Sequence, residues 1–407
     1  MTRPYADLKV IDVDAHITEP NDLWTKRAPA GYEDRVPRVV TVDGAPTWSI
    51  DGVALGRAGG GSVIKSDLVK QPGTEFMRWD EGVSHASAHD MTARVEVMDE
   101  LGLYAQVLYP NAGGFGSQKF ADVKDVELRR LCASIYNEAM IEIQENAHDR
   151  LMPMALLPWW DIDGSVAEAH RAAASGFHGI MWDPLWEVLS QDQLSVNFHI
   201  GASQSSMTWF GDSPWPSLDD ERKLALGSSM MYLSNARVIA TIIYSGVLER
   251  FPDLKIVSVE SGIGWIPFFL EALDYQRLES MPHAFDYLTM QPSDYFRRQI
   301  YGCFWFETTS IPLVIDRIGV DNIMFETDYP HPTCLYPDPL ERVAKALEGL
   351  SAESQRKLLQ DNAAGSPRRS KASVPSRSAS SYRTTRPSCI TSPCPTEVLT
   401  QSRHALG

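Results

Sequence analysis

The sequence of 407 residues lacks the features that mark membrane, secreted and nucleic-acid-binding proteins. It has no run of about 18 uncharged apolar residues, and its first residues lack the apolar core of a signal peptide. Its five cysteines form no CxxC pair and no disulfide framework. Clustered positive charge is also missing from most of the chain, whose formal net charge is -16 at pH 7. These absences favour a cytoplasmic protein with reduced thiols that binds neither nucleic acid nor membrane.

The chain has enough apolar material for one large domain, but its composition changes near the end. With 43% hydrophobic and 22% charged residues, most of it is typical of a soluble globular protein. Residues 365–407 contain six Arg, one Lys, ten Ser and a single acid, which gives them a net charge of +6. Apolar periodicity also stops there. We expect 1–364 to form the folded body and 365–407 a disordered, basic, Ser/Arg-rich tail.

Eight short apolar runs alternate with helical patterns along the folded body, as strands and helices do in α/β proteins. The predicted strands are Lys9–Asp14, Ala105–Tyr109, Met152–Pro158, Gly179–Asp183, Val196–Ile200, Lys255–Glu260, Ile300–Phe306 and Asn322–Thr327. The predicted helices are Met91–Leu101, Val123–Ala147, Ser165–Ser175, Ser229–Arg250, Ile266–Leu278, Ile311–Ile318 and Leu340–Asp361. Eight parallel strands with helices between them close most naturally into a (β/α)8 TIM barrel.

Two long segments fit this alternation poorly. Residues 21–90 are rich in Gly, Pro and Trp, and residues 203–228 contain Trp209, Trp215 and Pro216. Each follows a predicted strand that carries a candidate ligand. We therefore expect both to be insertions on the catalytic face, where they could form a lid or a pocket wall.

Four acidic or imidazole side chains lie where predicted strands end. Asp14 and His16 are two residues apart in the first strand, so their side chains project to the same side. His199 lies in the otherwise apolar fifth strand, and Asp328 follows the eighth. The carboxyl ends of parallel barrel strands meet at one face. Two imidazoles and two carboxylates there could hold one divalent ion, with Zn2+ preferred and Mn2+ as the alternative.

Aromatic residues are concentrated near the predicted strand ends and in the catalytic-face loops. Planar side chains at these places could enclose a ring-bearing substrate, although core packing would explain any single one of them. The set comprises Trp159, Trp160, Trp182, Trp186, Trp209 and Trp305. Together they favour an aromatic or cyclic substrate.

Several longer motifs resemble those of the amidohydrolase-2 family, which includes aminocarboxymuconate-semialdehyde decarboxylase and related aromatic acid decarboxylases. The motifs are IDVDAH at 11–16, RVEVMDELG at 94–102, VLYPN at 107–111, VNFHIG at 196–201, SGVLERFPDLKIVSVESG at 245–262 and DNIMFETDYPH at 321–331. The resemblance extends from about residue 8 to about residue 364. It implies a metal-dependent TIM barrel in which Asp14, His16, His199 and Asp328 bind one divalent ion.

Three departures from the family pattern bear on the chemistry. The related decarboxylases often begin with HxH, whereas the first position here is Asp14. They usually carry an acid/base His after the sixth strand, where this chain has Glu260. A desolvated Glu near a metal can be tuned toward a neutral pKa, so Glu260 could take over proton transfer, or it could be a structural carboxylate. The aminocarboxymuconate enzyme also has an Arg where this chain has Glu271, which argues against that particular substrate.

The resemblance therefore favours a nonoxidative decarboxylase, a carbon-carbon lyase acting on an aromatic or cyclic carboxylic acid. Asp328 and Glu260 are the candidate catalytic groups, and His331 is either a further acid/base group or a turn residue. A metal-dependent hydrolase of a cyclic amide or ester needs almost the same residues and is the alternative. A non-catalytic ligand-binding barrel is the third hypothesis. It would be favoured if any of the four metal-binding residues were missing from the sequence. Relatives are commonly dimers, so the sequence leaves a homodimer open.

Overall fold

Parallel strands flanked by helices form the framework of the protein. The structure is a computed structural model, and it describes residues 3–112, 120, 123–148, 150–158, 160–174, 179–181, 189–190, 194–200, 218–280 and 282–365. The tail expected at 365–407 lies outside the described residues except for its first residue, as does most of the insertion at 203–228. Among the described residues, no helix is both long and apolar enough to cross a membrane.

Strands occur at all eight predicted places, so this part of the prediction is confirmed. They are β1 Ile11–Ile17, β5 Ala105–Pro110, β6 Leu151–Pro153 with β7 Ala155–Leu156, β8 Gly179–Met181, β9 Ser195–His199, β10 Lys255–Val259, β11 Ile300–Phe304 and β12 Ile323–Phe325. Three of them form a parallel sheet in the order β1-β5-β6, and the others form a second parallel sheet in the order β12-β11-β10-β9-β8-β7. The described residues thus show a mixed α/β fold with two parallel sheets, and their strand pairing forms no continuous ring.

Burial on both faces explains why these strands have nearly continuous apolar sequences. All seven residues of β1 are buried, as are four of the five residues of β10. Strands covered by helices on one side and packed inside on the other have no polar face. A polar residue in such a strand is therefore buried as well, and this applies to Asp12, Asp14 and His16.

The insertion at 21–90 contains regular structure that was not predicted from the sequence. Its strands β2 Arg38–Val42, β3 Ala45–Ile50 and β4 Val53–Arg57 form an antiparallel sheet in the order β2-β3-β4. Both hairpins turn at an Asp-Gly pair, Asp43-Gly44 and Asp51-Gly52, and all four residues have positive φ. Asp-Gly between apolar runs is a strong signal for a two-residue hairpin, so the sequence contained the information.

The helices agree with the predicted pattern in place but are more broken. They are Met91–Leu101, Val126–Asn146, Ile162–Ala174, Asp220–Met231, Ser234–Tyr244, Val247–Arg250, Ile266–Tyr275, Pro292–Gln299, Ser310–Ile318, Pro339–Ala346, Ala352–Arg356 and Asn362–Gly365. The single helix predicted at Ser229–Arg250 is wrong, because three helices occupy that region and Gly246 takes a left-handed φ of 71° between the last two. The helix Pro292–Gln299 was not predicted.

Candidate metal and acid-base site

The site begins in β1, where Asp14 and His16 are both fully buried, at 0% and 1% exposure. Oδ1 of Asp14 lies 3.4 Å from Nε2 of His16. The pairing of β1 with β5 is irregular between Asp12 and Ala15. The two residues predicted as ligands from the first strand therefore present their ligating atoms to one point.

His199 brings the end of β9 to the same point. Its Nε2 lies 3.1 Å from Nε2 of His16 and 3.5 Å from Oδ1 of Asp14. Its Nδ1 lies 2.6 Å from the carbonyl oxygen of Ile200, which can only accept a hydrogen bond. Nδ1–H therefore donates to that carbonyl, and in the neutral ring Nε2 faces the cluster with its lone pair, the form in which imidazole binds metals.

Asp328 follows β12 and is fully buried, and its two oxygens have different neighbours. Oδ1 lies 3.6 Å from Nε2 of His16 and 3.0 Å from Nδ1 of His331. Oδ2 accepts a hydrogen bond from the hydroxyl of Thr333. The ring of His331 stacks on that of His16, with centroids 3.5 Å apart. His331 thus lies against the predicted metal ligands.

Glu260 follows β10 and its carboxylate lies beside His199. Its Oε2 lies 3.4 Å from Nε2 of His199, and the residue is 5% exposed. Its backbone is left-handed with a φ of 52°, and Asp328 has a φ of 58°. Such values are uncommon for residues other than Gly and cost on the order of 1–3 kcal/mol each. Both acids thus occupy strained backbone positions, which tend to occur at functional sites.

The structure brings the predicted site residues together in two overlapping groups that share His16. One ligand atom from each of Asp14, His16, His199 and Glu260 lies within 4.8 Å of the others, and the same holds for His16, Asp328 and His331. From the sequence, Glu260 was expected either in proton transfer or as a structural carboxylate. The geometry puts its carboxylate as close to the imidazoles as the predicted ligands are.

Charge in this buried cluster is unevenly distributed. Burial raises the pKa of Glu260 well above its usual value, and the nearby charges of Asp328 and Asp14 raise it further. Burial acts in the same direction on Asp14, but His199 and His16 outweigh it and hold the pKa of Asp14 below its usual range. Glu260 is therefore the carboxyl of the cluster that holds its proton more strongly, whereas Asp14 favours its ionised form.

Several oxygens of the cluster need a cation. Both carboxylate oxygens of Asp14, Oε2 of Glu260 and Oδ1 of Asp328 are buried without a hydrogen-bond donor. Among the ion pairs of the described residues, none joins a Lys or Arg to these three acids. Buried carboxylates without compensation are costly. A donor set of two imidazoles and several carboxylate oxygens suits a divalent metal ion.

Asp12 is a buried residue that sequence reasoning missed and that ties the site together. It accepts hydrogen bonds from the backbone N–H of Thr327 at 2.8 Å and from the side-chain amide of Gln106 at 2.9 Å. It thereby joins β1, β5 and the segment that leads to Asp328. The signal was available, because Asp12 is an acidic residue in the same otherwise apolar strand as Asp14.

Arg94 and Glu326 also hold residues of the site in place through hydrogen bonds. Arg94 is completely buried in the helix Met91–Leu101 and donates to the carbonyl oxygen of His16 at 2.6 Å. Oε2 of Glu326 accepts the backbone N–H of Glu260 at 3.2 Å. Glu326 could have been found from the sequence, since it lies two residues before Asp328. Arg94 could not, because Arg in a helix is mostly exposed.

The predicted aromatic enclosure is described only in part. Trp159, Trp182, Trp186 and Trp209 lie outside the described residues. Trp305 is buried and packs edge-on against Tyr232, with ring centroids 5.4 Å apart. Trp160 stacks with Phe120 at 6.5 Å. These two residues are explained by packing against neighbouring aromatics.

Comparison with known protein families gives one match over most of the chain. The family model described as Amidohydrolase matches residues 11–365. The matched region includes every residue of the cluster, from Asp14 in β1 to His331 after β12.

Solved structures with the same fold are remote in sequence. An amidohydrolase from Mycobacterium avium subsp. paratuberculosis K-10 has 21% identity and a TM-score of 0.70, over 88% of this chain and 99% of that chain. The 5-carboxyvanillate decarboxylase LigW from Sphingomonas paucimobilis has 19% identity and a TM-score of 0.61, over 88% and 98%. A dihydroxybenzoic acid decarboxylase from Polaromonas sp. JS666, with bound manganese and the inhibitor 2-nitroresorcinol, has 17% identity and a TM-score of 0.57, over 88% and 96%. At these identities the likeness establishes a shared fold.

Proposed function

The chain belongs to the amidohydrolase family, and from that premise we propose that it is a metal-dependent enzyme that decarboxylates an aromatic or cyclic carboxylic acid without an oxidant. The observation that carries the proposal is the position of Glu260, a buried carboxyl whose Oε2 lies 3.4 Å from His199 in the centre of the ligand cluster. Among the structural neighbours, the proteins from Sphingomonas and Polaromonas are decarboxylases of substituted benzoic acids, which supports the same class here.

The proposal includes a closed (β/α)8 barrel. The backbone N–H of Asp328 donates to the carbonyl of Asp14 at 2.9 Å, and that of His16 donates to the carbonyl of Tyr329 at 2.7 Å. These bonds connect β1 with the segment that follows β12. At the other seam only Met154 separates β6 from β7, and its N–H donates to the carbonyl of Leu108 at 2.9 Å. Both contacts are those expected if the two sheets are arcs of one barrel.

Asp14, His16, His199 and Asp328 would hold one divalent ion, with Zn2+ as the first choice and Mn2+ as the alternative. The oxygens of Asp14 and Asp328 that lack hydrogen-bond donors support this assignment. When bound, the ion supplies Lewis acidity and a fixed anchor for the anionic oxygens of a substrate. It would also balance the negative charge that the described ion pairs leave in the cluster.

Glu260 is proposed as the proton donor. When the bond between the ring and its carboxylate breaks, the electron pair stays on the ring carbon, carbon dioxide leaves, and the carbon takes a proton from the Glu260 carboxyl. Burial raises the pKa of Glu260 well above its usual value, which favours the protonated form that a proton donor needs. A proton from solvent then restores the acid. Asp328 is the alternative donor.

Hydrolysis of a cyclic amide or ester is the second candidate, because Asp328 and His331 form a paired base. Nδ1 of His331 and Oδ1 of Asp328 lie 3.0 Å apart beside His16. Such a pair could take a proton from an attacking water. Hydrolysis would use Asp328 and His331 and would not need Glu260 as an acid.

The deciding experiment is metal analysis of the purified protein, followed by a substrate screen. Substituted hydroxybenzoates would be tested for carbon dioxide release, and small cyclic amides and esters for ring opening or cleavage. We expect about one divalent ion per chain and turnover of a hydroxybenzoate that disappears after chelation and in the His199→Gln variant. Cleavage of amides or esters without any decarboxylation would establish the hydrolase instead.

We propose a cytoplasmic homodimer whose body ends near residue 364 and does not need the basic residues 365–407 for folding. Cys132, Cys303 and Cys334 are free and buried, as expected for a reducing compartment. Light scattering of the full chain tests the dimer. Deleting 365–407 should leave the metal content unchanged and lower the thermal midpoint by less than about 5 °C.

A further inference from the structure

Asn111 follows β5 and contacts two other segments around the site. Its side-chain NH2 donates to the carbonyl oxygen of Ile17 at 3.1 Å, and its Oδ1 lies 2.9 Å from Nε2 of His331. Its backbone N–H donates to Oε1 of Glu19 at 3.0 Å. Glu19 is itself buried, at 2% exposure. The residue therefore joins the end of β1 to the loop after β12.

The contact with Ile17 determines which end of the Asn111 amide faces His331. A backbone carbonyl can only accept, so the NH2 group must point toward Ile17 and the oxygen toward His331. That oxygen can also only accept, so Nε2–H of His331 donates to it. The opposite edge of the ring is thereby turned toward Asp328, where Nδ1 lies 3.0 Å from Oδ1. The orientation of the imidazole follows from two hydrogen bonds of one amide.

Gly61, in the insertion before β5, keeps this amide in place. A Cβ atom at Gly61 would lie 2.4 Å from Nδ2 of Asn111 and 2.5 Å from Oγ1 of Thr18. Both distances are far below van der Waals contact, so a side chain there requires both neighbours, or the backbone of the insertion, to move. The backbone of the insertion is therefore packed directly against Asn111. A glycine is needed for this close approach.

We propose that Asn111 is a positioning residue that fixes the ring orientation of His331 toward Asp328, and that Gly61 is required for this arrangement. The inference rests on the proposed function, because His331 contacts Asp328, which is a proposed metal ligand and the alternative proton donor. Its structural part, the control of the ring by Asn111, stands independently. Neither residue contacts the substrate in this role. Both act through His331.

Two substitutions and one control test the proposal in the metal-loaded full chain. Asn111→Leu keeps the shape of the side chain but removes both hydrogen bonds. Gly61→Ala leaves Asn111 in the sequence but forces its amide to move. Asn146→Leu makes the same replacement as the first variant at an exposed position, the last residue of the helix Val126–Asn146, and should behave as wild type.

The first measurement is a crystal structure of each variant. We expect Nδ1 of His331 to move from its 3.0 Å contact with Oδ1 of Asp328 to beyond about 3.5 Å, outside direct polar contact, in both Asn111→Leu and Gly61→Ala. If Asn111→Leu fails to fold, Gly61→Ala gives the same readout. A ring that keeps its 3.0 Å contact with Asp328 overturns the proposal, whatever the activity of the enzyme.

The second measurement is steady-state kinetics with the hydroxybenzoate that the wild-type enzyme decarboxylates best. We expect kcat to fall about 10- to 100-fold in both variants, as for a misplaced catalytic group, with metal content unchanged and KM within about threefold. A reoriented ring with an unchanged kcat would show that the position of His331 does not matter for the reaction. If the wild-type enzyme decarboxylates nothing, the proposed function fails, and the crystallographic result alone decides the role of Asn111.

Discussion

Replacement of Arg94 by methionine should weaken both the fold and the metal site. The guanidinium is completely buried and donates three hydrogen bonds: to the carbonyl of Ser87 at 2.6 Å, to Oε1 of Gln106 at 3.2 Å and to the carbonyl of His16 at 2.6 Å. Burial lowers the pKa of Arg94 to about 10, so the group remains charged at neutral pH. Methionine has a similar length and no donor.

The expected loss follows from the acceptors left behind. Each buried acceptor without a donor costs about 1–3 kcal/mol, and breaking a buried charged contact costs about 3–5 kcal/mol in measured cases. Removing the guanidinium also removes the cost of burying its charge, so the net loss of stability lies at the lower end of the sum of these terms. We therefore expect the free energy of unfolding to fall by about 4 kcal/mol, a large part of the 5–15 kcal/mol that is typical of a domain.

The assay is equilibrium unfolding in urea at 25 °C, followed by tryptophan fluorescence with a chelator present, so that bound metal does not contribute. Arg317→Met is the matched control, because the Arg317 side chain is 67% exposed and the same substitution there should change stability by less than about 0.5 kcal/mol. A loss below about 1 kcal/mol in Arg94→Met would refute the reasoning. In the absence of urea and chelator, the variant should also bind metal more weakly, since the carbonyl of His16 loses its donor.

Three further predictions concern the cluster itself. His199→Gln should lower the divalent metal content of the purified protein from about one ion per chain to below about 0.2, measured by plasma emission, and full occupancy would remove His199 from the ligand set. Glu260→Gln should lower kcat on a hydroxybenzoate by roughly 10²- to 10⁴-fold; a nearly unchanged kcat would assign the proton to Asp328 or His331. Burial raises the pKa of Asp12 from 3.8 to about 7, so its protonated form stabilises the fold fully below about pH 4, and this contribution is lost as the pH rises to about 7. Between about pH 4 and pH 7, the metal-free wild type should therefore lose a few kcal/mol of unfolding free energy relative to the metal-free Asp12→Asn variant, whose side chain does not titrate. If the unfolding free energies of the two proteins change in parallel with pH, the raised pKa of Asp12 is contradicted.

The strands and the residues at their ends could be predicted because burial leaves a simple pattern. A strand covered on both faces is a short apolar run, so a lone acid or imidazole at its end is conspicuous, as with Asp14 and Asp328. The resemblance of the motifs to those of a known family then indicated the ligand set. Glu260 was found in the same way, as a carboxyl in place of an expected histidine.

The supporting residues could not be predicted with the same ease, because their roles depend on contacts between distant segments. The bond from Arg94 to the carbonyl of His16 links residues 78 positions apart. The approach of Gly61 to Asn111 depends on how the insertion folds back over the site. Helix breaks were missed for a related reason. Gly246 and Gly349 lie two and three residues after the ends of helices, at Tyr244 and Ala346, and have a positive φ that periodicity does not reveal.

The left-handed backbone at Glu260 and Asp328 has a consequence for how this chain can evolve. If Glu260 and Asp328 act as proposed, activity requires an acid at each of these positions, although Gly or Asn would fit the backbone better. A descendant released from catalysis would gain stability by replacing either acid, since both strain and buried charge would disappear together. Loss of function would then be favoured by folding alone, and Gly or Asn at position 260 or 328 would identify relatives that keep the fold without the reaction.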